Sequence, residues 1–244
     1  MIEFDHVYRT YGQKTALAGL TLSVRPGEIF AFLGPNGAGK TTTIKMMVGL
    51  LRPSGGTIRI RGHDVAAETQ AANSLVGYVP DEPFLYDKLS GREFLQFLAD
   101  MYGLSREHAK QNIEREIEYF QLGDFVDHLS ETYSHGMKQR IVFAAAVLHE
   151  PAVLVLDEPM VGLDPKSMRL VKDLIKQKAA EGTTVFMSTH TLYVAEEIAD
   201  RIGIVDHGKL QFLGTLADLR REQSLPESSL ENLFLQLTAV NGAP

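Results

Sequence analysis

The stretch Gly34-Pro35-Asn36-Gly37-Ala38-Gly39-Lys40-Thr41-Thr42 decides the fold of this chain. It fits the spacing G-x-x-x-x-G-K-[ST] at every fixed position. Five apolar residues at 29–33 precede it and predict a strand buried on both faces. The apolar-patterned segment at 42–50 predicts a helix after it. A glycine-rich turn between a strand and a helix is the context in which this motif binds phosphate.

The residue types of this stretch suit a chain of phosphates. Gly34, Gly37 and Gly39 can adopt conformations that a side chain forbids, so successive N–H groups can point at one anion. The N-terminus of the following helix adds a partial positive charge. In this motif Lys40 reaches the β- and γ-phosphates, and the Thr41 hydroxyl holds Mg²⁺. The alternative is a chance glycine-rich turn.

Composition narrows the class of protein. The 244 residues suffice for one large domain or two small ones. No apolar run approaches the roughly 18 residues of a membrane span, and the N-terminus lacks the pattern of a signal peptide. The absence of cysteine excludes disulfides, thiol catalysis and thiolate metal sites. A net charge of −7 disfavours general nucleic-acid binding. We therefore expect a cytosolic protein without a nucleic-acid partner.

Two adjacent carboxylates end a second buried strand. The apolar segment 152–156 leads directly to Asp157 and Glu158. Because side chains alternate along a strand, the two carboxylates are expected to face different targets. Asp157 suits a Mg²⁺-bound water, and Glu158 suits a general base for an attacking water. The alternative, a solvated acidic strand end, is weakened by the phosphate-binding motif elsewhere in the chain.

Other candidates stand at strand ends or helix starts, each with a structural alternative. Asp81 follows a short strand at 75–79, and His190 ends another at 184–190, so both are expected at one sheet edge. Ser134 and Gly136 open a helix and form a second possible anion site, although most such turns are only caps. Tyr11 could stack on an adenine or be a packed surface tyrosine.

Residues from about 90 to 150 follow a helical pattern without strand signals. An apolar stripe is predicted near the start of this block, formed by Phe94, Leu95, Phe97, Leu98 and Met101. The block predicts a helical subdomain inserted into an α/β core.

These motifs, in this order, resemble the nucleotide-binding subunit of an ATP-binding cassette (ABC) transporter over nearly the whole chain. Gly34–Thr41 resembles the Walker A motif and Val153–Asp157 the Walker B motif. The resemblance is to export-type, single-cassette (ABC-2-like) subunits. It implies an α/β phosphate-loop NTPase (RecA-like) core with an antiparallel β subdomain and a helical subdomain at about 84–150. It also implies an ATP-binding domain at 1–225 and a short C-terminal helix and tail at 226–244.

The resemblance also assigns roles to residues. It implies ATP and Mg²⁺ as cofactors, Glu158 as the catalytic base, and His190 and Asp81 as further catalytic residues. Thr41, Asp157 and Asp81 are implied to hold the metal. The nucleotide would be contacted by Tyr11, by all nine residues from Gly34 to Thr42, and by Ser134 and Gly136.

Three places depart from the family pattern. Asp81 stands where a glutamine is usual. His135 and Met137 replace a glycine and a glutamine of the family signature, which is here Tyr133–Met137. Met160-Val161 stands where Thr-Ser is common.

The family's assembly implies two partners. Two cassettes, as a homodimer or heterodimer, would stack head to tail with ATP between 34–42 of one chain and 134–136 of the other. A transmembrane permease would bind the region 81–100 and hold the chain at the inner face of the cell membrane. Phe84, Leu85 and Tyr86 are candidate contacts, with ordinary packing as the alternative.

Two other classes of function compete with an ATPase subunit that energises export. A soluble ABC-type ATPase of DNA repair or translation would usually carry a long coiled coil, a zinc insertion or a second cassette, and no such segment is evident here. A module that binds ATP without hydrolysing it is the third class, and the presence of Glu158 argues against it.

Overall fold

The computed structural model describes residues 1–225 and 228–239. The strands are β1 (Ile2–Tyr11), β2 (Lys14–Val24), β3 (Ile29–Leu33), β4 (Gly55–Ile60), β5 (His63–Asp64), β6 (Val76–Val79), β7 (Val153–Asp157), β8 (Thr184–Thr189), β9 (Arg201–Asp206) and β10 (Lys209–Gly214). The helices are α1 (Lys40–Met47), α2 (Thr69–Asn73), α3 (Gly91–Met101), α4 (Arg106–Tyr119), α5 (His135–Val147), α6 (Pro165–Ala180), α7 (Leu192–Ile198), α8 (Leu216–Glu222) and α9 (Leu230–Ala239). Of the predicted C-terminal helix and tail at 226–244, residues 226–227 and 240–244 lie outside the described residues.

The central sheet has the strand order β10-β9-β3-β8-β7-β6. All its pairs are parallel except the hairpin of β9 and β10. Strands β3, β7 and β8 are buried along their whole length, as their continuous apolar runs predict. The register sets Leu33 beside Thr189 and Asp157 beside Ser188. The carboxyl ends of these three strands therefore meet at one edge of the sheet.

The antiparallel sheet, ordered β2-β1-β4-β5, and helix α1 cover one face of the central sheet. Phe186 of β8 is the centre of this contact, with ring centroids 5.5 Å from Phe30 and Phe32 and 6.0 Å from Phe4. The opposite face packs against α5, α6 and α7. Two sheets with helices on both sides confirm the predicted fold class.

The elements between β6 and β7 are helical, as the sequence predicts. Serine side chains cap the N-termini of α3, α4 and α5. The predicted apolar stripe divides, because Phe94 and Leu95 are buried whereas Phe97 and Met101 are exposed. The domain boundaries at 84, 150 and 225 stay predictions.

Helix α1 begins at Lys40, two residues before the predicted start, and ends at Met47. Its early start follows from Gly39, whose left-handed backbone closes the loop just before the first helical residue. Among the residues that the structure describes, no helix is long and apolar enough to span a bilayer.

Candidate functional site

A cavity of about 660 Å³ opens at the carboxyl edge of β3, β7 and β8. It gathers most of the predicted site residues, namely Tyr11, Asn36, Gly37, Gly39, Lys40, Thr41, Thr42, Asp81, Glu158 and His190. Gly34, Pro35 and Ala38 belong to the loop that forms its floor, and Asp157 lies buried at the end of β7. The cavity walls therefore come from segments that lie far apart in the sequence.

The glycines of the loop are required for different reasons. Gly37 and Gly39 have φ angles of 82° and 111°, which disfavour any side chain. A β-carbon at Gly39 would also lie 2.6 Å from the carbonyl oxygen of Ala16. Gly34 differs from the prediction, because its φ is not positive. It is needed for space, since a β-carbon there would lie 2.4 Å from the carbonyl oxygen of Val205.

Lys40 is buried at the start of α1 and is held by the loop. Its Nζ donates hydrogen bonds to the carbonyl oxygens of Gly34, at 2.7 Å, and Pro35, at 3.4 Å. The same Nζ lies 3.7 Å from Oε1 of Glu158. The residue before the helix, Gly39, has no side chain that could cap the first amides. A cation and open helix amides thus face the cavity together, which suits a polyanion.

Asp157 is buried beneath the cavity beside Ser188. The Ser188 hydroxyl donates a hydrogen bond to its carboxylate, and the Thr41 hydroxyl lies near enough to influence its pKa. Burial raises the pKa of Asp157, and the charges of Asp81 and Glu158 raise it further, against the lowering effect of the Ser188 and Thr41 hydroxyls. No group of three His, Asp or Glu side chains that could hold a metal occurs in residues 1–225 and 228–239. A metal at Asp157 and Thr41 would therefore need other oxygen ligands, such as phosphates.

Glu158 connects three parts of the site. It follows β7 with a φ of 49°, which is uncommon for a residue with a side chain. Its N–H donates to the Ser188 carbonyl oxygen at 3.1 Å. Its Oε2 accepts the backbone N–H of His190 at 3.1 Å and lies 2.8 Å from Nδ1 of that residue. The carboxylate is thus held between His190 and the Nζ of Lys40.

Ser134 and Gly136 lie outside this cavity, at the N-terminus of α5. The Ser134 Oγ accepts the N–H of Met137 at 3.3 Å, so this turn is a helix cap within its own chain. The ring of His135 packs against Gly162. A β-carbon at Gly162 would lie 2.8 Å from Cδ2 and Nε2 of that ring. Within a single chain, therefore, the two predicted phosphate-binding turns lie apart from each other.

The proposed partner region has an exposed aromatic surface, which we define as Phe84, Tyr86, Phe97 and Met101. Phe84 and Phe97 both meet Tyr86 edge to face, with ring centroids 5.6 Å and 5.8 Å away. For Leu85 the alternative of ordinary packing holds, because this residue is only 5% exposed and packs in the core.

Sequence reasoning missed several residues at the site. Lys14 lines the cavity beside Tyr11, Arg9 packs on the Tyr11 ring, and Ser188 binds Asp157. Only Ser188 left a signal, as a polar residue in a buried strand.

Comparisons with known proteins agree with this geometry. The family model described as ABC transporter matches residues 17–161. The linearmycin resistance ATP-binding protein LnrL of Bacillus subtilis is 40% identical over 219 residues, which are 90% of this chain and 70% of that protein.

Two solved structures share the fold. One, an ATP-binding subunit of an ABC transporter, is 33% identical with a TM-score of 0.93, over 97% of this chain and 99% of that one. The other is a dimeric post-hydrolysis state of the cassette MJ0796 bound to ADP and phosphate. It is 25% identical with a TM-score of 0.78, over 88% of this chain and 99% of that one. These relatives do not favour an ATPase of DNA repair or translation. The chain belongs to the ABC transporter family and is an ATP-binding, ATP-hydrolysing subunit of a transporter.

Proposed function

We propose that ATP hydrolysis by this chain drives export of a substrate through a separate membrane-spanning partner. The observation that carries the proposal is the convergence of Lys40, Thr41, Asp157, Glu158 and His190 at one sheet edge. Export is supported by the similarity to a resistance protein. The chemical nature of the substrate would be set by the partner.

Binding of ATP would rearrange the contacts of Lys40. In the structure, its Nζ donates hydrogen bonds to two carbonyl oxygens of the loop and lies near Glu158. A triphosphate in the cavity offers a stronger, charged acceptor. We expect Nζ to turn to the β- and γ-phosphates, while the α1 amides bind the remaining oxygens.

The residues at Asp157 fit a magnesium ion. The Thr41 hydroxyl lies near enough to the Asp157 carboxylate to lower its pKa, and Mg²⁺ prefers such oxygen ligands together with phosphates. Thr41 and Asp157 would hold the ion, with Asp81 close enough to perturb the pKa of Asp157. When bound, Mg²⁺ would neutralise phosphate charge. Ser188 orients the Asp157 carboxylate for this role.

Glu158 would then act as the general base. The loss of Lys40 from its vicinity leaves the carboxylate free to accept a proton from the attacking water. His190 would position it, since both its backbone N–H and its ring lie against Oε2.

A second cassette would complete the site. The Ser134–Gly136 turn lies outside its own chain's cavity, so it can reach a γ-phosphate only in another chain. A head-to-tail pair supplies this contact, and the dimeric relative supports such a pair.

The aromatic surface would receive the membrane partner. Phe84 and Met101 are each 68% exposed. Phe84 also packs on Tyr86, which is itself 48% exposed, so apolar side chains adjoin one another at the surface, as is typical of an interaction site. Docking there would bring the chain to the inner face of the membrane.

The central test is Glu158→Gln, which keeps the size of the side chain and removes its basicity. We expect hydrolysis to slow by roughly 10²–10⁴-fold, with ATP binding retained. Because ATP then persists, the variant with Mg²⁺ and ATP should elute as a dimer from size exclusion and as a monomer with ADP. The exposed Glu107 provides the control, since Glu107→Gln should change neither property.

The turn of α5 is tested in the same background. Adding Ser134→Arg to Glu158→Gln should abolish the ATP-dependent dimer by blocking the phosphate-facing turn. A Glu158→Gln variant that binds ATP to saturation but stays monomeric, alone and with the membrane protein, would refute the head-to-tail mechanism.

The partner surface needs a separate test. Phe84→Ala with Tyr86→Ala should reduce co-purification with the membrane partner and leave the ATPase activity of the isolated chain unchanged. Leu50 is about as exposed as Phe84 but lies outside the aromatic surface, so Leu50→Ala serves as the control. Undiminished co-purification of the double variant would contradict the assignment.

A further inference from the structure

The ring of Tyr11 already carries a cation on one face. The guanidinium carbon of Arg9 lies 4.7 Å from the centroid of this ring. Tyr11 ends β1 at the tight turn into β2, where it pairs with Lys14. Its side chain is 46% exposed and lines the cavity, whereas Arg9 does not line it. One face of the ring is thus covered by Arg9, and the exposed part of the ring borders the cavity.

Arg9 is held in this place by a second contact. Its Nη1 donates a hydrogen bond to the carbonyl oxygen of Arg52 at 2.9 Å. Arg52 lies in the segment that leaves α1 on the way to β4. The guanidinium therefore ties the turn that bears Tyr11 to the segment beyond the phosphate-loop helix. Arg9 does not line the cavity, so it is not placed as a phosphate ligand.

We infer that Arg9 is a positioning residue that holds the Tyr11 ring as a stacking platform for the base of the nucleotide. This inference rests on nucleotide binding in the cavity, as proposed above. A guanidinium packs flat on an aromatic ring and stabilises it by cation–π attraction. Stacking on an aromatic ring tolerates any base, since every base has a π-face. Arg9 should therefore support adenine and guanine alike and leave phosphate binding unaffected.

Titration calorimetry with three ligands tests the inference. Arg9→Ala should weaken binding of ADP and of GDP by the same factor, about two- to fivefold. Binding of inorganic tripolyphosphate, which has no base, should not change. Arg9→Lys keeps the charge but lacks the planar fork, so its effect should be intermediate. Arg59→Ala, at an exposed position of the same sheet, should match the wild type with all three ligands.

A double-mutant cycle separates positioning from general damage. In a Tyr11→Ala background there is no ring to hold, so Arg9→Ala should have no further effect on ADP binding. Additive effects of the two substitutions would overturn the inference. So would an equal loss of ADP and tripolyphosphate binding by Arg9→Ala, which would indicate damage to the phosphate loop. If the wild type binds neither ADP nor tripolyphosphate, the proposed function itself fails and this inference with it.

Discussion

The N-termini of α1 and α5 are both assigned to the phosphates of ATP, yet they are built in opposite ways. Helix α1 begins after Gly39, whose left-handed backbone carries no capping side chain. Helix α5 begins after Ser134, whose hydroxyl accepts the N–H of Met137. The first terminus opens into the cavity, and the second lies outside it.

The difference shows that the N–H groups at the start of α1 are open to a ligand, whereas one of those at the start of α5 is already hydrogen-bonded within its own chain. The first N–H groups of any helix lack intrahelical partners. At α1 they border a site that also holds Lys40, so a bound anion would satisfy both. At α5 the Ser134 hydroxyl already accepts one of these N–H groups. A further contact lies just beyond the C-terminus of this helix. There the ring of His149 stacks on Tyr102 and contacts the carbonyl oxygen of Val76.

The largest effect should come from removing the cation of the α1 terminus. Lys40→Ala should lower the hydrolysis rate at least about 100-fold, as for the loss of a preorganised charge at a reacting group. It should also weaken ATP binding. Lys45 is exposed on the same helix, so Lys45→Ala should retain the wild-type rate. Wild-type hydrolysis by Lys40→Ala would show that the loop is not the phosphate site.

Substituting alanine for a glycine at each of the two termini should change the free energy of unfolding of the protein by different amounts. Gly39→Ala should lower the free energy of unfolding by about 2 kcal/mol or more, from backbone strain together with the close approach of the Ala16 carbonyl. Gly136→Ala should change it by less than about 1 kcal/mol, since, apart from its chain neighbours and its own helix backbone, no atom of the described residues lies within 4 Å of the added carbon. Urea denaturation measures both. Equal losses would mean that the termini do not differ in this way.

The anchoring of α5 should depend on pH. Burial lowers the pKa of His149 from 6.5 to about 4, against the raising effect of the Val76 carbonyl. Between these values the unfolded chain binds a proton that the folded chain does not, so stability falls as the pH falls. We expect this residue to contribute a loss of roughly 3 kcal/mol between pH 7 and pH 4.

A variant isolates that contribution. His149→Phe keeps a ring against Tyr102 and cannot titrate, so its unfolding free energy should decline less steeply with acid than that of the wild type. His108 is exposed, and His108→Gln should retain the wild-type slope. If the unfolding free energies of His149→Phe and the wild type decline equally with acid, His149 does not cause the pH dependence.

The smallest effect concerns Asp81, which stands in the α1 cavity where the family usually has glutamine. Asp81→Gln should keep the hydrolysis rate within about tenfold, or roughly 1.4 kcal/mol of barrier. Asp81→Ala should lose more, because it removes the oxygen ligand altogether. The neighbouring Glu82 does not line the cavity, and Glu82→Gln is the control. If both substitutions at Asp81 are silent in ATPase and transport assays, Asp81 has no part in the site.

Local patterns were enough to predict much of this molecule. The spacing of Gly34 to Thr41 identified the loop, and the apolar runs before Gly34 and Asp157 identified two core strands. Strands buried on both faces end at the same edge of a parallel sheet, so the meeting of Asp81, Glu158 and His190 there could also be predicted. The start of α1 was predicted two residues too late, because a glycine conformation and not the apolar pattern sets its first turn.

The sequence by itself therefore determined the family, the fold class and the order of the motifs, because each depends on residues close together in the chain. Only the tertiary structure decided which distant side chains meet. The register of β7 and β8 sets Ser188 on Asp157, and the path of the chain after α1 sets Arg52 beside Arg9. Packing likewise buried Leu85 and exposed Phe97, which no periodicity distinguishes. Contacts of this kind depend on register and packing between elements, which local sequence does not encode.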